Sequence, residues 1–188
     1  MNLNRLVTPR LDLIPATATL VRAELHDRPR FFRILRVPEV VDWPPPDVVD
    51  ALPVFLRELE ERPTLVGWLA WYWVLRREPD AAGGILVGSG GFKGLPQDGQ
   101  HQQGYYVREV VHQRGFATEA LGALLNWAFA HPRVTMIVAE TAKENAASRA
   151  LLGKLHFAAT GQPSEPEFVR YLLRAQTARD ILYTPARL

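Results

Sequence analysis

The spacing of hydrophobic residues changes at Gly115, and this change constrains the fold more than any other feature of the sequence. After Gly115, apolar residues recur with a helical period, at Ala117, Leu121, Leu124 and Ala128. Before it, stretches rich in β-branched and aromatic residues are typical of strands: Gly67–Leu75, Gly84–Phe92 and His101–Arg108. The segments between them, 78–80 and 94–99, suit hairpins. The sequence therefore predicts three antiparallel strands followed by a long amphipathic helix.

Further elements are predicted on both sides of this central pattern. Leu11–Pro15 alternates as a first strand, Thr17 or Thr19 can cap a helix, and Phe31–Val37 suits a second helix. Trp43-Pro44-Pro45-Pro46 predicts a stiff loop, because proline rings fix φ and remove donors. Asp47 then starts a helix through Leu59. After Pro132 we expect a strand, a helix and a strand, at Val134–Ala139, Ala146–Leu155 and Phe168–Leu173.

This order of elements predicts an α/β (α+β) fold. We expect a single domain over residues 1–188, with a mixed and mostly antiparallel central sheet and helices on both faces. A chain of 188 residues can bury one hydrophobic core without cross-links.

Composition excludes several classes of function. With 22 Lys and Arg against 20 Asp and Glu, the net charge of +2 gives no electrostatic case for nucleic acid or an anionic membrane. Thr64–Leu75, the longest uncharged apolar stretch, is far shorter than the ~20 residues that span a bilayer. Cysteine is absent, and the five histidines lack the spacing of metal ligands, so we expect no metal. A cytoplasmic protein is the expectation.

The segment from Val107 to Ala120 carries the clearest functional signal. A strand ends, a short turn follows, and a long helix starts at a glycine. The first amides of a helix have no intrahelical acceptor, and the helix dipole adds positive charge there. Gly115 and Arg114 therefore suit an anion site that could hold a diphosphate, although an ordinary strand–turn–helix corner has the same spacing.

The same segment resembles motif A of the GNAT superfamily of N-acetyltransferases. The family pattern Gln/Arg-x-x-Gly-x-Gly/Ala falls on His112-Gln113-Arg114-Gly115-Phe116-Ala117. Gly115 and Ala117 match, whereas His112 replaces the usual Gln or Arg and Gln113 replaces a common Gly. These departures affect side-chain contacts and leave the backbone amides in place.

Two other blocks support the resemblance. Asn145-Ala146-Ala147-Ser148, followed by Leu151, Lys154 and Phe157, is similar to the family's Asn-x-x-Ser…Leu-x-x-Lys-x-Gly-Phe block, with His156 in place of Gly. The opening Leu6–Leu13 resembles the first strand of the RimJ/RimL-like branch, the ribosomal-protein-alanine N-acetyltransferases. The resemblance extends over almost the whole chain.

The resemblance implies acetyl-CoA as co-substrate and direct transfer of its acetyl group to a primary amine, which suits a chain without cysteine. It implies that the diphosphate lies on the amides of Gln113 to Thr118. The residues expected to bind acetyl-CoA are Tyr106, Val107, His112, Gln113, Arg114, Gly115, Phe116, Ala117, Thr118 and Asn145. The backbone near Tyr106 and Val107 would pair with pantetheine and polarise the thioester carbonyl.

Two residues are expected to be catalytic. The resemblance makes Glu140 the candidate base, with Glu109 and His101 as weaker alternatives, and an ordinary surface glutamate remains an equal interpretation. Ser148 is the candidate proton donor to the departing thiolate, or else an N-terminal helix cap.

The acceptor is expected to lie near the N-terminal helices. Trp43 and Phe32 are the candidate acceptor contacts, and only Asp42 and Asp47 add negative charge nearby. Trp68, Trp71, Tyr72 and Trp73 are more typical of a core. We expect a protein or peptide N-terminal α-amine as acceptor, and a monomer or homodimer. The alternatives are a non-catalytic acyl-CoA sensor, or an enzyme that acetylates an amino acid, a polyamine or an antibiotic.

Overall fold

The structure, a computed structural model, describes residues 5–76, 84–95, 100–161 and 163–182. These residues form two compact units. The first unit is drawn from residues 1–91 and 105–116, and the second from 92–104 and 117–188. The chain passes from the second unit to the first inside one strand, and it returns at the start of a helix. The predicted single domain over 1–188 stays a prediction.

In the described part of residues 5–92, the first unit forms an antiparallel sheet with the strand order β1-β2-β3-β4. The strands are β1 (Leu6–Val7), β2 (Leu11–Pro15), β3 (Ala70–Leu75) and β4 (Ile85–Phe92), of which the last residue belongs to the second unit. The β3–β4 register shifts between Trp73 and Val74, so the strand pair is irregular there. The predicted turn at 78–80 lies outside the described residues.

Four helices connect β2 to β3 in this unit. They are α1 (Ala18–His26), α2 (Arg28–Leu35), α3 (Pro46–Val49) and α4 (Leu52–Glu61). Thr17 caps α1 as predicted, since its side chain accepts from the Leu20 amide at 3.3 Å. The single helix predicted from Asp47 to Leu59 is divided into α3 and α4, and a 3₁₀ turn at Pro63–Leu65 delays the start of β3 to Ala70.

The second unit contains both parallel and antiparallel strand pairs. Residues 100–104 of β5 (Gln100–Val107) belong to it, and residues 100–103 pair parallel with β6 (Met136–Ala142). In the same unit, β8 (Phe168–Arg174) pairs antiparallel with both β6 and β7 (Ala158–Thr160). Its helices are α5 (Phe116–Phe129), α6 (Ala146–Lys154) and α7 (Ala175–Leu182). The mixed, mostly antiparallel α/β fold is confirmed; α7 was not predicted. Residues 96–99 of the predicted turn at 94–99 lie outside the described ranges.

Apolar side chains fill the interior of each unit. In the first, Leu11, Leu13 and Leu20 are almost fully buried, together with Trp68, Trp71, Tyr72 and Trp73, as predicted for core residues. In the second, one face of α5 is buried through Leu121, Leu124 and Leu125. Over the described ranges, no helix is both long enough and apolar enough to cross a membrane.

Candidate active site

The segment that joins β5 to α5 is anchored at its first residue, Arg108. The Arg108 amide donates to the carbonyl of Val87 at 3.0 Å, and its guanidinium donates to the carbonyl of Leu86 at 2.8 Å. The same guanidinium forms a bidentate ion pair with Asp42, with Nε 2.9 and 3.0 Å from the carboxylate oxygens and a terminal nitrogen at 2.7 Å. Although charged, Arg108 is only 8% exposed. The start of the segment is therefore fixed to β4.

The end of the segment has the backbone shape expected of an anion-binding turn. Gln113 and Gly115 have positive φ angles of 60° and 78°, the left-handed region that favours glycine. Gln113, Arg114 and Gly115 are exposed, and α5 begins directly after them at Phe116. The exposed turn and the helix N-terminus together present amide groups and the positive end of the helix dipole.

Arg10, which lies between β1 and β2, contacts this turn. Its guanidinium donates to the carbonyl of Arg114 at 2.9 Å and lies 4.6 Å from the centre of the Phe116 ring. Phe116 is buried, so its side chain belongs to the core, and only its backbone is suited to the predicted cofactor contact. Ala117 and Thr118 follow in the first turn of α5 and are half-buried.

His112 folds back onto β5. Its exposed side chain places Nε2 2.8 Å from the carbonyl oxygen of Val107, and Nε2 is the donor because a carbonyl only accepts. This hydrogen bond uses one lone pair of the Val107 carbonyl, part of the backbone predicted to contact pantetheine. This hydrogen bond stabilises the conformation of the segment between β5 and α5. Of the two ring nitrogens of His112, only Nδ1 is left for another polar partner.

Tyr106 precedes Val107 on β5 and lies close to β4. An added Cβ on Gly88 would come within 2.4 Å of the Tyr106 carbonyl oxygen, so the approach of the two backbones requires glycine there. Burial raises the pKa of the Tyr106 phenol, and the charges of Asp42 and Glu109 raise it further. The phenol is therefore a neutral hydrogen-bonding group at physiological pH.

The two predicted acceptor contacts, Trp43 and Phe32, are core residues. Trp43 is 2% exposed and Phe32 is 1% exposed, so neither presents a free surface to a ligand. The Trp43 ring lies 6.0 Å from the Tyr106 ring and 6.3 Å from the Tyr72 ring. Phe31 joins the same cluster, 5.1 Å from both Phe32 and Tyr72. Their direct contact with an acceptor stays a prediction, and this burial argues against it.

Sequence reasoning did not identify Glu24, which lies inside this aromatic cluster. Its carboxylate accepts a hydrogen bond from the Trp43 indole at 2.7 Å and another from the Tyr72 hydroxyl. Burial raises its pKa from the ordinary 4.5 to about 7, and the two hydrogen bonds offset part of that rise. The available signal was its position four residues after Leu20 and three after Val21, on the apolar face of α1.

Glu140, the candidate base, lies on β6 in the second unit. Its carboxylate accepts from the Ser164 amide at 2.9 Å and from the Ser164 hydroxyl at 2.5 Å, and Arg170 lies 3.6 Å away. The hydrogen bonds from Ser164 lower the pKa of Glu140, with a further contribution from the charge of Arg170. Glu140 is consequently ionised at neutral pH and is a weak proton acceptor.

Asn145 and Ser148 lie together at the start of α6. Asn145 is the N-cap, and its side-chain oxygen accepts from the Ser148 amide at 2.9 Å. Ser148 is therefore not the cap of α6, which removes that structural explanation for a serine at this position. Ser148 is 6% exposed, whereas Asn145 is exposed.

The structure gives little support to Glu109 and His101, the weaker candidates for the base. Glu109 is exposed in the 3₁₀ turn at Glu109–Val111, and the side chain of His101 lies outside the described part of the chain. In the ranges described, no group of three or more His, Asp or Glu residues is arranged to hold a metal ion.

Comparisons with known proteins agree with this geometry. The family described as "Acetyltransferase (GNAT) domain" matches residues 18–158. An uncharacterized N-acetyltransferase, YjdG of Bacillus subtilis, is 29% identical over 117 residues, which is 62% of this chain and 67% of YjdG.

Solved structures share the fold. An acetyltransferase from Agrobacterium tumefaciens has a TM-score of 0.61 at 20% identity, over 93% of this chain and 96% of its own. RimL, a ribosomal alpha-N-protein acetyltransferase solved in complex with coenzyme A, has a TM-score of 0.61 at 18% identity, over 92% of this chain and 98% of its own.

Proposed function

The chain belongs to the acetyltransferase (GNAT) family and is an acetyl-CoA-dependent N-acetyltransferase, and we propose that its acceptor is the α-amine of a peptide or protein N-terminus. The observation that carries the cofactor half of the proposal is the exposed turn at Gln113–Gly115 that opens onto the N-terminus of α5. We infer that the amides of Gln113 to Thr118 hold the diphosphate of acetyl-CoA.

The proposed acceptor follows from the cost of making a free amine. A lysine-like amine with a pKa of ~10.4 costs roughly 4–5 kcal/mol to deprotonate at neutral pH, whereas an α-amine near ~7.8 costs about 1 kcal/mol. Glu140, with its lowered pKa, is suited to the smaller task. In this proposal Glu140 takes the α-amine proton, directly or through a water molecule.

Ser148 completes the proposed proton transfers. The amine attacks the thioester carbon, the carbon–sulfur bond breaks, and the departing thiolate of CoA receives a proton from the Ser148 hydroxyl. The proton that the attacking nitrogen loses on forming the amide restores the Ser148 hydroxyl, through water. Asn145 fixes Ser148 by capping α6. The backbone at Tyr106 and Val107 is proposed to align pantetheine and to polarise the thioester carbonyl.

The charge near the N-terminal helices favours a small or peptide acceptor over a polycation. Asp42, an acidic residue of the loop before α3, is neutralised by Arg108, whose hydrogen bonds lower the pKa of Asp42. A paired carboxylate attracts a polyamine or an aminoglycoside only weakly.

Binding calorimetry with acetyl-CoA tests the cofactor site. Gly115→Asp places a carboxylate beside the proposed diphosphate position and strains a residue whose φ is 78°, so we expect affinity to fall by at least roughly tenfold. Gly115→Ala is the matched control, since it has the same backbone strain without the charge, and it should lose less affinity. Equal affinities for wild type and Gly115→Asp would contradict the assigned site.

A further inference from the structure

Glu24 is a buried acid whose two oxygens have different partners on two different elements. Its side chain starts on α1, one oxygen accepts from the indole of Trp43, and the other accepts from the hydroxyl of Tyr72 on β3. The residue is 7% exposed. An apolar side chain at this place on α1 would avoid the cost of burying a carboxyl group, so a glutamate here calls for a reason beyond packing.

Trp43 belongs to a loop that is held from several directions. We call residues 40–45 the Trp43 loop. The Arg28 guanidinium of α2 donates to the carbonyls of Val40 and Trp43, and Arg108 at the end of β5 pairs with Asp42. Glu24 adds a contact from α1 to the indole. Arg28 and Arg108 hold the backbone and Asp42, whereas Glu24 holds the Trp43 ring itself.

The ring that Glu24 holds packs against the strand assigned to the cofactor. The Trp43 ring centre lies 6.0 Å from that of Tyr106, at an interplanar angle of 60°. Tyr106 is followed by Val107, and both are proposed to align pantetheine. A continuous set of contacts thus runs from Glu24 through Trp43 to the strand where the thioester would lie.

We propose that Glu24 is a positioning residue for the acceptor: it holds the Trp43 ring against Tyr106, on the strand beside which the thioester would lie and which the attacking amine must therefore approach. This inference rests on the proposed function, because it takes β5 as the strand that binds pantetheine. Glu24 touches neither substrate in this scheme and acts through Trp43. Its effect therefore appears mainly in the KM for the acceptor. The KM for acetyl-CoA changes little, because in the proposed scheme most of its affinity comes from the diphosphate on the amides of Gln113 to Thr118.

The ionisation of Glu24 should tune this effect near neutral pH, since burial raises its pKa to about 7. An ionised carboxylate holds an indole N–H more strongly than a neutral carboxyl group does. The titratable and charged groups whose contacts join this cluster are Tyr72 of β3, Arg28 of α2, Asp42 of the Trp43 loop, Tyr106 of β5, and Arg108, which follows β5. On the outer side, Arg22 of α1 and Glu60 of α4 form an exposed ion pair.

Steady-state kinetics of two Glu24 variants tests the proposal, with a peptide that begins with alanine as acceptor. Glu24→Ala removes both hydrogen bonds and should raise the KM for the peptide roughly tenfold, with the KM for acetyl-CoA within about twofold of wild type. Glu24→Gln can keep both hydrogen bonds without charge, because its amide oxygen accepts from Trp43 and its amide nitrogen donates to Tyr72.

The pH dependence of Glu24→Gln is the sharper readout. The ratio of its peptide KM to that of wild type should be near one at about pH 6 and should rise roughly threefold to tenfold at about pH 8. The acceptor's own titration cancels in this ratio. Asp12→Asn is the matched control, since Asp12 is a buried carboxylate paired with Arg5 and Arg76, and it should leave both KM values unchanged.

Trp43 fluorescence separates a failure of this inference from a failure of the proposed function. The difference in emission between wild type and Trp43→Phe should titrate near pH 7, and this titration should disappear in the Glu24→Gln background. The subtraction also removes the emission of Trp127, whose ring lies 4.6 Å from the His131 ring.

If the peptide is not acetylated but the fluorescence titrates, the proposed acceptor is wrong and the link from Glu24 to Trp43 is supported. If the peptide is acetylated and both the KM ratio and the fluorescence are independent of pH, the positioning role of Glu24 is wrong. That role is also wrong if Glu24→Ala leaves the peptide KM unchanged, or if it raises the KM for acetyl-CoA equally. Should Glu24→Ala fail to fold, the pH dependence of the peptide KM ratio between Glu24→Gln and wild type still tests the positioning role.

Discussion

At the scale of single residues, two glutamates show how environment assigns different properties to one side chain. Glu24 is buried among aromatic rings, which raises its pKa to about 7, whereas Ser164 lowers the pKa of Glu140 by donating to both of its oxygens. At neutral pH, Glu140 is therefore ionised, whereas Glu24 is near the midpoint of its titration. The proposed roles follow from this difference: Glu140 is a weak base, and Glu24 is a pH-dependent positioning residue.

The raised pKa of Glu24 predicts how stability depends on pH. Between pH 4.5 and about 7 the folded protein keeps a proton on Glu24 that the unfolded chain releases, so rising pH weakens the folded state. At ~1.36 kcal/mol per pKa unit, this amounts to about 3 kcal/mol. We expect Glu24→Gln, which cannot titrate, to gain about that much free energy of unfolding over wild type between about pH 4.5 and pH 8. Denaturant titrations at both pH values measure it, and a constant difference would contradict the burial assigned to Glu24.

The lowered pKa of Glu140 predicts a modest catalytic contribution. Glu140→Gln should lower kcat for the alanine peptide by roughly tenfold, whereas Ser148→Ala should lower it by ~10²-fold, the low end for a positioned acid. Neither should change the affinity for acetyl-CoA measured by calorimetry. The exposed Glu144, which precedes α6, provides the control, and Glu144→Gln should leave kcat unchanged. A wild-type kcat for Glu140→Gln would exclude it as the base.

At the scale of elements, the end of α6 shows a glycine position occupied by histidine. The Phe157 amide donates to the Leu152 carbonyl and the His156 amide donates to the Gly153 carbonyl, which is the Schellman pattern. His156 accordingly has a φ of 63°, and the apolar contact typical of the motif is available because Leu152 and Phe157 are both buried. The turn therefore has the conformation that favours glycine, although histidine occupies the position.

This geometry predicts that His156→Gly stabilises the protein by about 1 kcal/mol, because a left-handed conformation is strained for residues with a Cβ. Thermal unfolding should show a Tm raised by a few degrees. His26, which is exposed in the last turn of α1, is the matched control, since glycine at a helical position lowers stability. A lower Tm for His156→Gly would show that the histidine side chain makes a compensating contribution.

Local patterns in the sequence predicted the elements well and the candidate site in part. β2 was predicted to the residue, and the turn before α5 was identified, because alternation, helical period and glycine act over short distances. The cluster around Glu24 was missed because its partners are 19 and 48 residues away in the chain. For the same reason the sequence did not predict that Trp43, the candidate acceptor contact, is buried with its indole hydrogen-bonded to Glu24.

At the scale of the whole molecule, the proposed function combines a cofactor site with a preference for one kind of acceptor. The family fixes the acetyl donor, and the small net charge of +2, the neutralised Asp42 and the weakly basic Glu140 all favour an acceptor of low basicity over a polycation. An α-amine has a pKa roughly 2.6 units below that of a lysine amine, so far more of it is unprotonated at neutral pH.

The most direct test is competition between the two kinds of amine in one molecule. Purified protein is incubated with acetyl-CoA and a peptide that begins with alanine and contains one internal lysine, and tandem mass spectrometry locates the acetyl group. Spermidine is added in a parallel reaction that is followed by thiol release. We predict acetylation at the N-terminal α-amine, with the lysine unmodified and spermidine a poor substrate. Acetylation of the lysine or of spermidine while the α-amine stays free would contradict the proposed function.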